Sequence, residues 1–365
     1  MRRISLTLGA LGIVALGAAQ LQSPAAAQAP AGIARPMGAD ASAKAWTLPR
    51  TADGHPDLQG NWTNATVTPL ERPPGQPPVL SKEVVGKIEK GVADRIQRLA
   101  APSDPNRPAP PQGGDGSTGA AGNVGGYNNF WIDAGERVAI VNGEYRTSLI
   151  VDPPDGRVPA LTDEARARQA ERTKRAAQFG QYDNPENRPL AERCLASFGS
   201  NAGPPMLPNY FYNNNYTIVQ ARDHVLIMTE MVHDTRIIRL GKQHERLPAQ
   251  VRPWWGDSIG WWDGDTLVIE TTNFHPSQIF RGASDSLKVI ERIARTDADT
   301  LLYKFTIDDP KTFTRPWSGE VPFEKLDELI YEYACHEGNY ALSNVLSGER
   351  AQEKTRGSAA PKPQQ

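Results

Sequence analysis

The sequence predicts a mainly β protein whose strands form an antiparallel, meandering barrel, with a two-sheet sandwich as the alternative. From about residue 129 onward, short runs rich in β-branched and aromatic residues alternate with turn residues. Successive hairpins without helices between them indicate antiparallel pairing. About ten such strands must close into a barrel or split into two sheets. We find no fixed-period repeat, which disfavours a propeller or a solenoid.

The first 27 residues have the pattern of a secretory signal peptide. Arg2 and Arg3 precede an uncharged apolar run from Ile4 to Ala19, and Ala25-Ala26-Ala27 forms a small-residue cleavage site. The apolar run is shorter than the ~20 residues that a membrane-spanning helix needs. We therefore expect a periplasmic or secreted protein with no membrane span after cleavage.

Composition predicts one domain with a loose insertion. Many of the 31 Pro and 32 Gly residues lie in the low-complexity segment 101–127. We expect a flexible leader over 28–50, a single β-rich domain over 51–345 that carries this insertion, and a disordered tail over 346–365. Arg2 and Arg3 are the only charged residues of the signal peptide, so its removal takes the formal charge from −2 to −4. Nucleic acid is therefore not an expected partner.

Two helices interrupt the strand pattern. Ser81 begins an amphipathic helix in which Val84, Val85 and Ile88 start a helically spaced apolar series. A second helix is predicted from Thr162 to Phe179. It carries many basic residues, which favours a solvated face first and an anion-binding or partner-binding surface second.

The strands are predicted in chain order. Gly60-Asn61-Trp62 opens the first strand. The later strands are Phe130–Asp133, Arg137–Val141, Arg146–Asp152, Tyr216–Gln220, Val225–Val232, Thr235–Leu240, Ser258–Trp262, Thr266–Thr272, Leu287–Arg295, Thr300–Ile307 and Leu329–Ala334. Hairpin turns are predicted at Arg222-Asp223, at Asp263-Gly264 and over Asp297–Asp299.

The two cysteines, Cys194 and Cys335, both lie in the mature chain. An oxidising compartment favours a disulfide between them, and two buried free thiols are the alternative. A catalytic cysteine is not expected, because a paired thiol is no nucleophile. The sequence also lacks a Walker A loop, GxGxxG, HExxH, GxSxG and CxxC, which removes the commonest motif-based assignments. We expect no cofactor and no metal.

Several segments resemble known families. The runs DLQGNWTNATVTPLERP, EMVHDTRIIRL, GDSIGWWDGDTLVIETTNF and ERIARTDADTLLYKFTIDDPKTFTRPW together resemble a family of secreted bacterial proteins. This resemblance implies no particular activity and no catalytic residues. Gly60-Asn61-Trp62 also resembles the Gly-x-Trp that opens the first strand of lipocalin-like barrels. That resemblance implies a barrel with an internal ligand cavity.

A pair of carboxylates is the first candidate for chemistry. A two-residue turn at Asp263-Gly264 would place Asp257 directly opposite Glu270 on one face of the hairpin. Two carboxylates that close cannot both ionise cheaply, so one would have a raised pKa suited to a general acid. The structural alternative is that both face solvent or that one binds an arginine.

A second candidate is the segment that follows the strand from Val225. His233 is a candidate proton shuttle, and Asp234 or a carboxylate from another strand could orient it. Strand alternation places Arg236 on the opposite face, where it could bind a substrate or pair with Glu230. The structural alternative is an ordinary hydrogen-bonded strand histidine.

Aromatic residues suggest a ligand site. Trp261 and Trp262 lie close to Trp254 and Trp255, and Tyr212 and Asn214 belong to an aromatic and amide-rich stretch upstream. Such groups bind a sugar ring, a sterol or an aromatic metabolite. His275, where the chain leaves its strand, is a further candidate substrate-binding residue. The alternative is that the aromatic residues fill the barrel core.

These observations support three functions. The first is a secreted acid–base enzyme, a hydrolase or a lyase, that acts on a neutral cyclic or aromatic small molecule. Its candidate catalytic residues are His233, Asp257, Glu270 and Asp234. The second is a lipocalin-like binding protein without catalysis. The third is a structural or interaction protein of the cell envelope.

Overall fold

Buried and less buried side chains alternate along the strands, as expected for a sheet with one face toward a core. The alternation is most regular in the neighbouring strands Lys288–Arg295 and Thr300–Asp308. A computed structural model describes residues 46–100, 106, 132–198, 202–209, 211–241, 243–277 and 280–359. The predicted signal peptide lies outside the described residues. So do leader residues 28–45 and the insertion 101–127, except for Asn106.

The described residues contain twelve strands and three helices. The strands are β1 (Gly60–Thr63), β2 (Ile140–Val141), β3 (Glu144–Tyr145), β4 (Ile150–Asp152), β5 (Asn215–Gln220), β6 (His224–Thr229), β7 (Thr235–Leu240), β8 (Asp257–Asp263), β9 (Thr266–Thr272), β10 (Lys288–Arg295), β11 (Thr300–Asp308) and β12 (Trp317–Leu326). The helices are α1 (Lys82–Ala100), α2 (Asp163–Ala176) and α3 (Ala341–Ala359).

Nine strands close into a mixed β-barrel in the order β1-β5-β6-β7-β8-β9-β10-β11-β12, and β1 pairs with β12 to complete it. The mainly β barrel is therefore confirmed, and the sandwich alternative is wrong. One pairing departs from the expected antiparallel pattern, because β7 and β8 are parallel. The segment 241–256 carries the chain back to the end of the barrel where β7 begins, and a parallel neighbour requires such a crossover.

The last barrel strand differs from the sequence prediction. Leu329–Ala334 is not a strand, and β12 lies earlier in the chain. Pro322 interrupts the strand pattern there, since proline cannot donate to a ladder. One edge of β12 pairs with two strands in turn, with β4 at Ser318 and Gly319 and with β1 from Glu324 onward. Pro322 lies between these two stretches, where no backbone donor is needed on that edge.

Large side chains fill the barrel interior. Trp62, Tyr216, Tyr303, Phe305, Trp317 and Phe323 are almost completely buried there. Among them, Arg236 of β7 pairs with Glu291 of β10 through two hydrogen bonds of 2.8 and 2.9 Å. Side-chain exposure is 2% for Arg236 and 0% for Glu291. The interior ligand cavity implied by the Gly-x-Trp resemblance is therefore occupied by core side chains.

The helices lie outside the barrel. Ser81 precedes α1 as predicted, and Glu89 accepts a hydrogen bond from the Val138 amide that holds the helix in place. Thr162 caps α2 by accepting from the Ala165 amide. The expected disordered tail differs from the structure over 346–359, which belongs to α3. In α3, Arg350 donates to the Asp183 carbonyl oxygen.

Among the described residues, no helix is both long enough and apolar enough to cross a bilayer.

Loss of one member of the interior ion pair should destabilise the barrel strongly. Glu291→Ala leaves the Arg236 guanidinium buried without its counter-charge, and we expect a loss of about 3–5 kcal/mol in the free energy of unfolding. The double variant Arg236→Met/Glu291→Leu removes both charges and should lose less. Chemical denaturation monitored by tryptophan fluorescence measures both values.

The matched control for this experiment is Lys288→Ala on the same strand. Lys288 pairs with Asp308 at the surface, with the two side chains 36% and 33% exposed. Surface pairs of this kind contribute about 0–1 kcal/mol. A loss for Glu291→Ala no larger than the loss for Lys288→Ala would contradict the prediction.

Candidate functional site

A cleft of about 910 Å³ lies at one end of the barrel, where β5 begins and β6 ends. We call it the mouth cleft. Asn213 and Asn215 contribute amide groups, and Glu230 lies directly after β6. The other described lining residues are Asp133, Ala191, Tyr212, Tyr331, Glu332, Tyr333, Ala334, Cys335 and Asn339. The mouth cleft therefore combines carboxyl, amide and phenol groups.

Glu230 is the carboxyl group most tightly held in the mouth cleft. Its residue exposure is 8%, and Asn215 Nδ2 donates to Glu230 Oε2 at 2.8 Å. Burial raises the pKa of Glu230, hydrogen bonds from Asn213 and Asn215 oppose this rise, and the charge of Asp133 adds to it. Glu230 thus keeps its proton to a higher pH than an ordinary glutamate does.

Backbone strain accompanies this carboxyl group. The Thr229 amide donates to the Asp234 carbonyl oxygen at 2.8 Å and so closes the short connection between β6 and β7. Within it, Val232 and His233 adopt φ angles of 63° and 46°. A β-branched residue with positive φ is a true outlier and costs about 1–3 kcal/mol. Strain of this kind concentrates at functional sites.

His233 lies on the rim of the mouth cleft. Its Nδ1 is 3.0 Å from the carbonyl oxygen of Tyr333, a residue that lines the cleft. A carbonyl oxygen only accepts, so Nδ1 carries the proton and neutral His233 presents Nε2 as an acceptor. The predicted proton shuttle is therefore oriented by the backbone of Tyr333.

Asp234 follows His233 and is partly buried. Burial raises the pKa of Asp234, and a hydrogen bond from Trp255 and the neighbouring charge of His233 oppose that rise. Among the described residues, its Oδ2 has no hydrogen-bond partner. Asp234 therefore supports the same connection but is not among the residues that line the mouth cleft.

The other predicted carboxylate pair lies on the outer face of β8 and β9. The turn is displaced, so Asp257 pairs with Thr272, and Glu270 pairs with Ile259. Asp257 Oδ1 accepts from Arg239 at 2.5 Å, and Glu270 Oε1 accepts from Arg246 at 2.7 Å. The direct juxtaposition of the two carboxylates is wrong, and each one binds an arginine instead.

The structure distributes the predicted substrate-binding residues over several places. Tyr212 lines the mouth cleft. Asn214 is fully buried beside it, where its side chain accepts from the Asn209 amide and donates to the Asp133 carbonyl oxygen. Arg236 lies inside the barrel. Asn214 thus positions the strand entry that carries Asn213 and Asn215.

The remaining predicted ligands lie away from the mouth cleft. Trp262 lies near the opposite end of the barrel and stacks on His55, with ring centroids 4.8 Å apart. Trp261 points outward and pairs with Val268. His275 stacks on Trp254 at 4.0 Å in a separate cavity beside α2. The tryptophan-rich stretch therefore does not form one binding surface.

A disulfide joins Cys194 to Cys335 and confirms the predicted pairing. It ties the segment Tyr331–Cys335, which forms one wall of the mouth cleft, to the segment that contains Ala191. The disulfide thus tethers this wall of the mouth cleft covalently to a distant part of the chain.

No protein-family model matches this chain, and no curated protein is significantly similar to it. A functional assignment therefore rests on the chemistry of the mouth cleft.

The sequence interpretation did not identify Glu230 and Asp133 as site residues. Glu230 follows an apolar strand directly. A carboxyl group at the end of a buried strand could have marked it as a candidate site residue. Asp133 is far away in the chain, and it approaches Glu230 only through Asn214 and the entry to β5. No local pattern reports such a long-range approach.

Removal of the disulfide should loosen the wall of the mouth cleft. The bond spans 141 residues, and we expect Cys194→Ser/Cys335→Ser to lower the free energy of unfolding by about 2–5 kcal/mol. Chemical denaturation of the variant measures this loss. Reduced wild-type protein serves as the control and should match the variant. Equal stability of the variant and the oxidised protein would contradict the expectation.

Proposed function

We propose that the mouth cleft is the active site of a secreted acid–base enzyme, a hydrolase or a lyase, that acts on a neutral cyclic or aromatic small molecule. The observation that carries this proposal is Glu230, a nearly buried carboxyl group with a raised pKa in a cleft of substrate size. A raised carboxyl pKa suits a general acid near neutral pH.

A second carboxyl group supports the same chemistry. Asp133 lines the mouth cleft, and its charge contributes to the raised pKa of Glu230. Burial raises the pKa of Asp133 as well, a backbone hydrogen bond at Gly135 opposes that rise, and the charge of Glu136 adds to it. An ionised Asp133 holds the proton on Glu230 more firmly. We assign proton donation to Glu230 and the role of base to Asp133. His233 is oriented at the rim as a further proton acceptor.

Charge disfavours an anionic substrate, and the aromatic lining suits a ring. The described lining residues include three carboxyl groups, Asp133, Glu230 and Glu332, and contain no Lys, Arg or His. An anionic substrate would be repelled. The phenol faces of Tyr212, Tyr331 and Tyr333 and the amides of the two asparagines suit a ring with hydroxyl or carbonyl groups.

The proposal includes a periplasmic or secreted location. The disulfide between Cys194 and Cys335 supports an oxidising compartment, as does the predicted signal peptide. It also includes a small molecule as the partner rather than a nucleic acid.

Binding without catalysis is the second candidate function, on a lipocalin-like barrel. The meander from β8 to β12 and the closure by β1 support a lipocalin-like relation, although β7 and β8 are parallel. Tyr331 lines the mouth cleft with 80% of its surface exposed. Its ring is therefore open to contact with a ligand in the cleft. The ligand would lie at the mouth, because core side chains fill the interior.

Glu230→Gln tests the catalytic proposal. A panel of 4-nitrophenyl glycosides and neutral aryl esters first identifies a substrate of the wild-type protein. We expect Glu230→Gln to lower kcat on it by about 10²–10⁴-fold, the usual contribution of a general acid. In the wild type, kcat should fall as pH rises through the raised pKa of Glu230, because the acid form is lost. The variant should lack that limb.

Glu270→Gln is the matched control, because Glu270 is a carboxylate on the outer face of the barrel, bound to Arg246. We expect its kcat to stay close to the wild-type value. Loss of activity in Glu270→Gln with an intact Glu230→Gln would overturn the assignment. Absence of turnover across the whole panel would overturn catalysis on these substrate classes and favour the binding function.

Tyr331→Ala tests ligand contact in the mouth cleft under either function. Removal of an aromatic face that a ligand covers should weaken binding by about tenfold. Tyr340→Ala is the control, since Tyr340 is 72% exposed and is not among the lining residues. Ligand-detected NMR with neutral aromatic glycosides measures both. Equal affinity in the two variants would place the ligand elsewhere.

A further inference from the structure

A second cavity, of about 390 Å³, lies between α2 and the connections at the mouth end of the barrel. We call it the α2 cavity. Arg168 and Arg172 enter it from one face of α2, since residues four apart share a helix face. Arg252 enters from the connection before β8, and Lys311 from the connection between β11 and β12. Three separate parts of the chain thus bring cations to one place.

The charge of the α2 cavity is opposite to that of the mouth cleft. Its lining contains these four cationic side chains and two carboxylates, Glu164 and Asp285. Glu164 pairs with Arg168, and Asp285 pairs with Lys311. Within the described parts of the chain, no ion pair engages Arg172 or Arg252. Lys311 and, more weakly, Arg252 lower the pKa of Asp285, so Arg252 lies near that carboxylate, whereas Arg172 has no carboxylate partner among the described residues.

Two of the cationic groups, Arg168 and Arg252, are held in position before any ligand arrives. Arg168 donates to the Lys311 carbonyl oxygen at 3.1 Å and to Thr312 Oγ1 at 2.8 Å. Arg252 donates to the carbonyl oxygens of Ala249 and Phe274 at 3.0 and 3.2 Å. Arginine anchored in this way loses less conformational freedom when it binds an anion.

His275 adds a neutral donor to the α2 cavity. Its ring stacks on Trp254, and its Nδ1 accepts from the Ser277 amide at 3.1 Å. An accepting Nδ1 places the ring proton on Nε2, so the neutral ring donates from Nε2. His275 was predicted as a substrate-binding residue, and its place here is that of a hydrogen-bond donor.

The inner part of the α2 cavity is apolar. Phe274 and Ala283 line it and are 7% and 6% exposed, and Pro276 lies beside them. A simple inorganic ion would leave this surface uncovered. An apolar body attached to an anionic group would contact both parts of the cavity.

We propose that the α2 cavity binds a small organic carboxylate with an aromatic or aliphatic body, independently of the mouth cleft. Arg172 and Arg252 contact the carboxylate, His275 donates a hydrogen bond to it, and Phe274 and Ala283 contact the apolar body. The site is distinct from the proposed active site, whose acidic lining disfavours an anion.

Isothermal titration of the full mature chain with benzoate, benzamide and inorganic phosphate tests this site. We expect benzoate to bind about tenfold more tightly than benzamide, the neutral molecule of the same shape, because a charge-assisted hydrogen bond is lost. Benzoate should also bind more tightly than phosphate, and its affinity should fall as salt is raised to about 0.5 M.

Arg172→Gln is the decisive variant, because Arg172 is exposed and the fold does not depend on it. We expect it to weaken benzoate binding by about tenfold and to leave the affinity for benzamide unchanged. Lys174→Gln, which removes a charge from another face of α2, is the matched control and should bind benzoate like the wild type.

Three outcomes would overturn the proposal. They are equal affinity for benzoate and benzamide, equal loss in Arg172→Gln and Lys174→Gln, and phosphate binding as tight as benzoate binding. The third outcome would exclude a contribution of the ligand's apolar body to binding. Turnover in the mouth cleft does not enter any of these measurements, so this test and the test of Glu230 fail separately.

Discussion

The ion pair between Arg236 and Glu291 crosses the barrel interior from β7 to β10, and the surrounding core is arranged around it. Tyr303 donates its hydroxyl to Glu291 Oε1 at 2.9 Å and itself accepts from the Met206 amide at 3.0 Å. Burial lowers the pKa of Arg236, but the charge and hydrogen bonds of Glu291 outweigh burial and leave that pKa raised. The charge of Arg236 therefore persists inside, and its pairing with Glu291 occupies the interior with structural side chains rather than with a ligand.

A filled interior moves ligand binding to the end of the barrel. The chain reaches that end through irregular connections, and loops on a rigid scaffold are where binding groups usually lie. One group of connections presents Asp133, Glu230 and Glu332, and another presents Arg172, Arg252 and Lys311. Acidic and basic groups are thus separated into two cavities on one molecule of small net charge. The net charge of the chain therefore does not reveal either charged cavity.

The sequence was sufficient for the features that depend on local pattern. Alternation located β5, β7, β9 and β11, and Thr162 located the start of α2. The disulfide was predicted from two cysteines in a chain with a predicted signal peptide. The turn between β8 and β9 shows the limit of prediction from local pattern. Asp263 pairs with Thr266 instead of lying in the turn, so the register is displaced by two residues. A two-residue displacement keeps every side chain on its face but changes every partner.

The candidate site depended on information that no local pattern contains. Asp257 and Glu270 lie on one face, as alternation predicted, yet Arg239 and Arg246 reach them from the neighbouring strand and its following connection. Glu230 and Asp133 line one cleft because two hydrogen bonds link residue 133 to the segment before β5, one from buried Asn214 and one to the Phe211 carbonyl oxygen.

The strained connection after β6 gives a physical reason to prefer Glu230 over its neighbours. Val232 and His233 both adopt the left-handed conformation, which reverses the chain within four residues and keeps the Glu230 amide on the Asn215 carbonyl oxygen at 3.0 Å. That hydrogen bond continues the pairing of β5 and β6 beyond Tyr216 and Thr229, and it places Glu230 beside Asn215. Burial is the main cause of the raised pKa of Glu230, and the hydrogen bonds from Asn213 and Asn215 oppose it. The strained turn therefore follows directly on the residue whose pKa is raised.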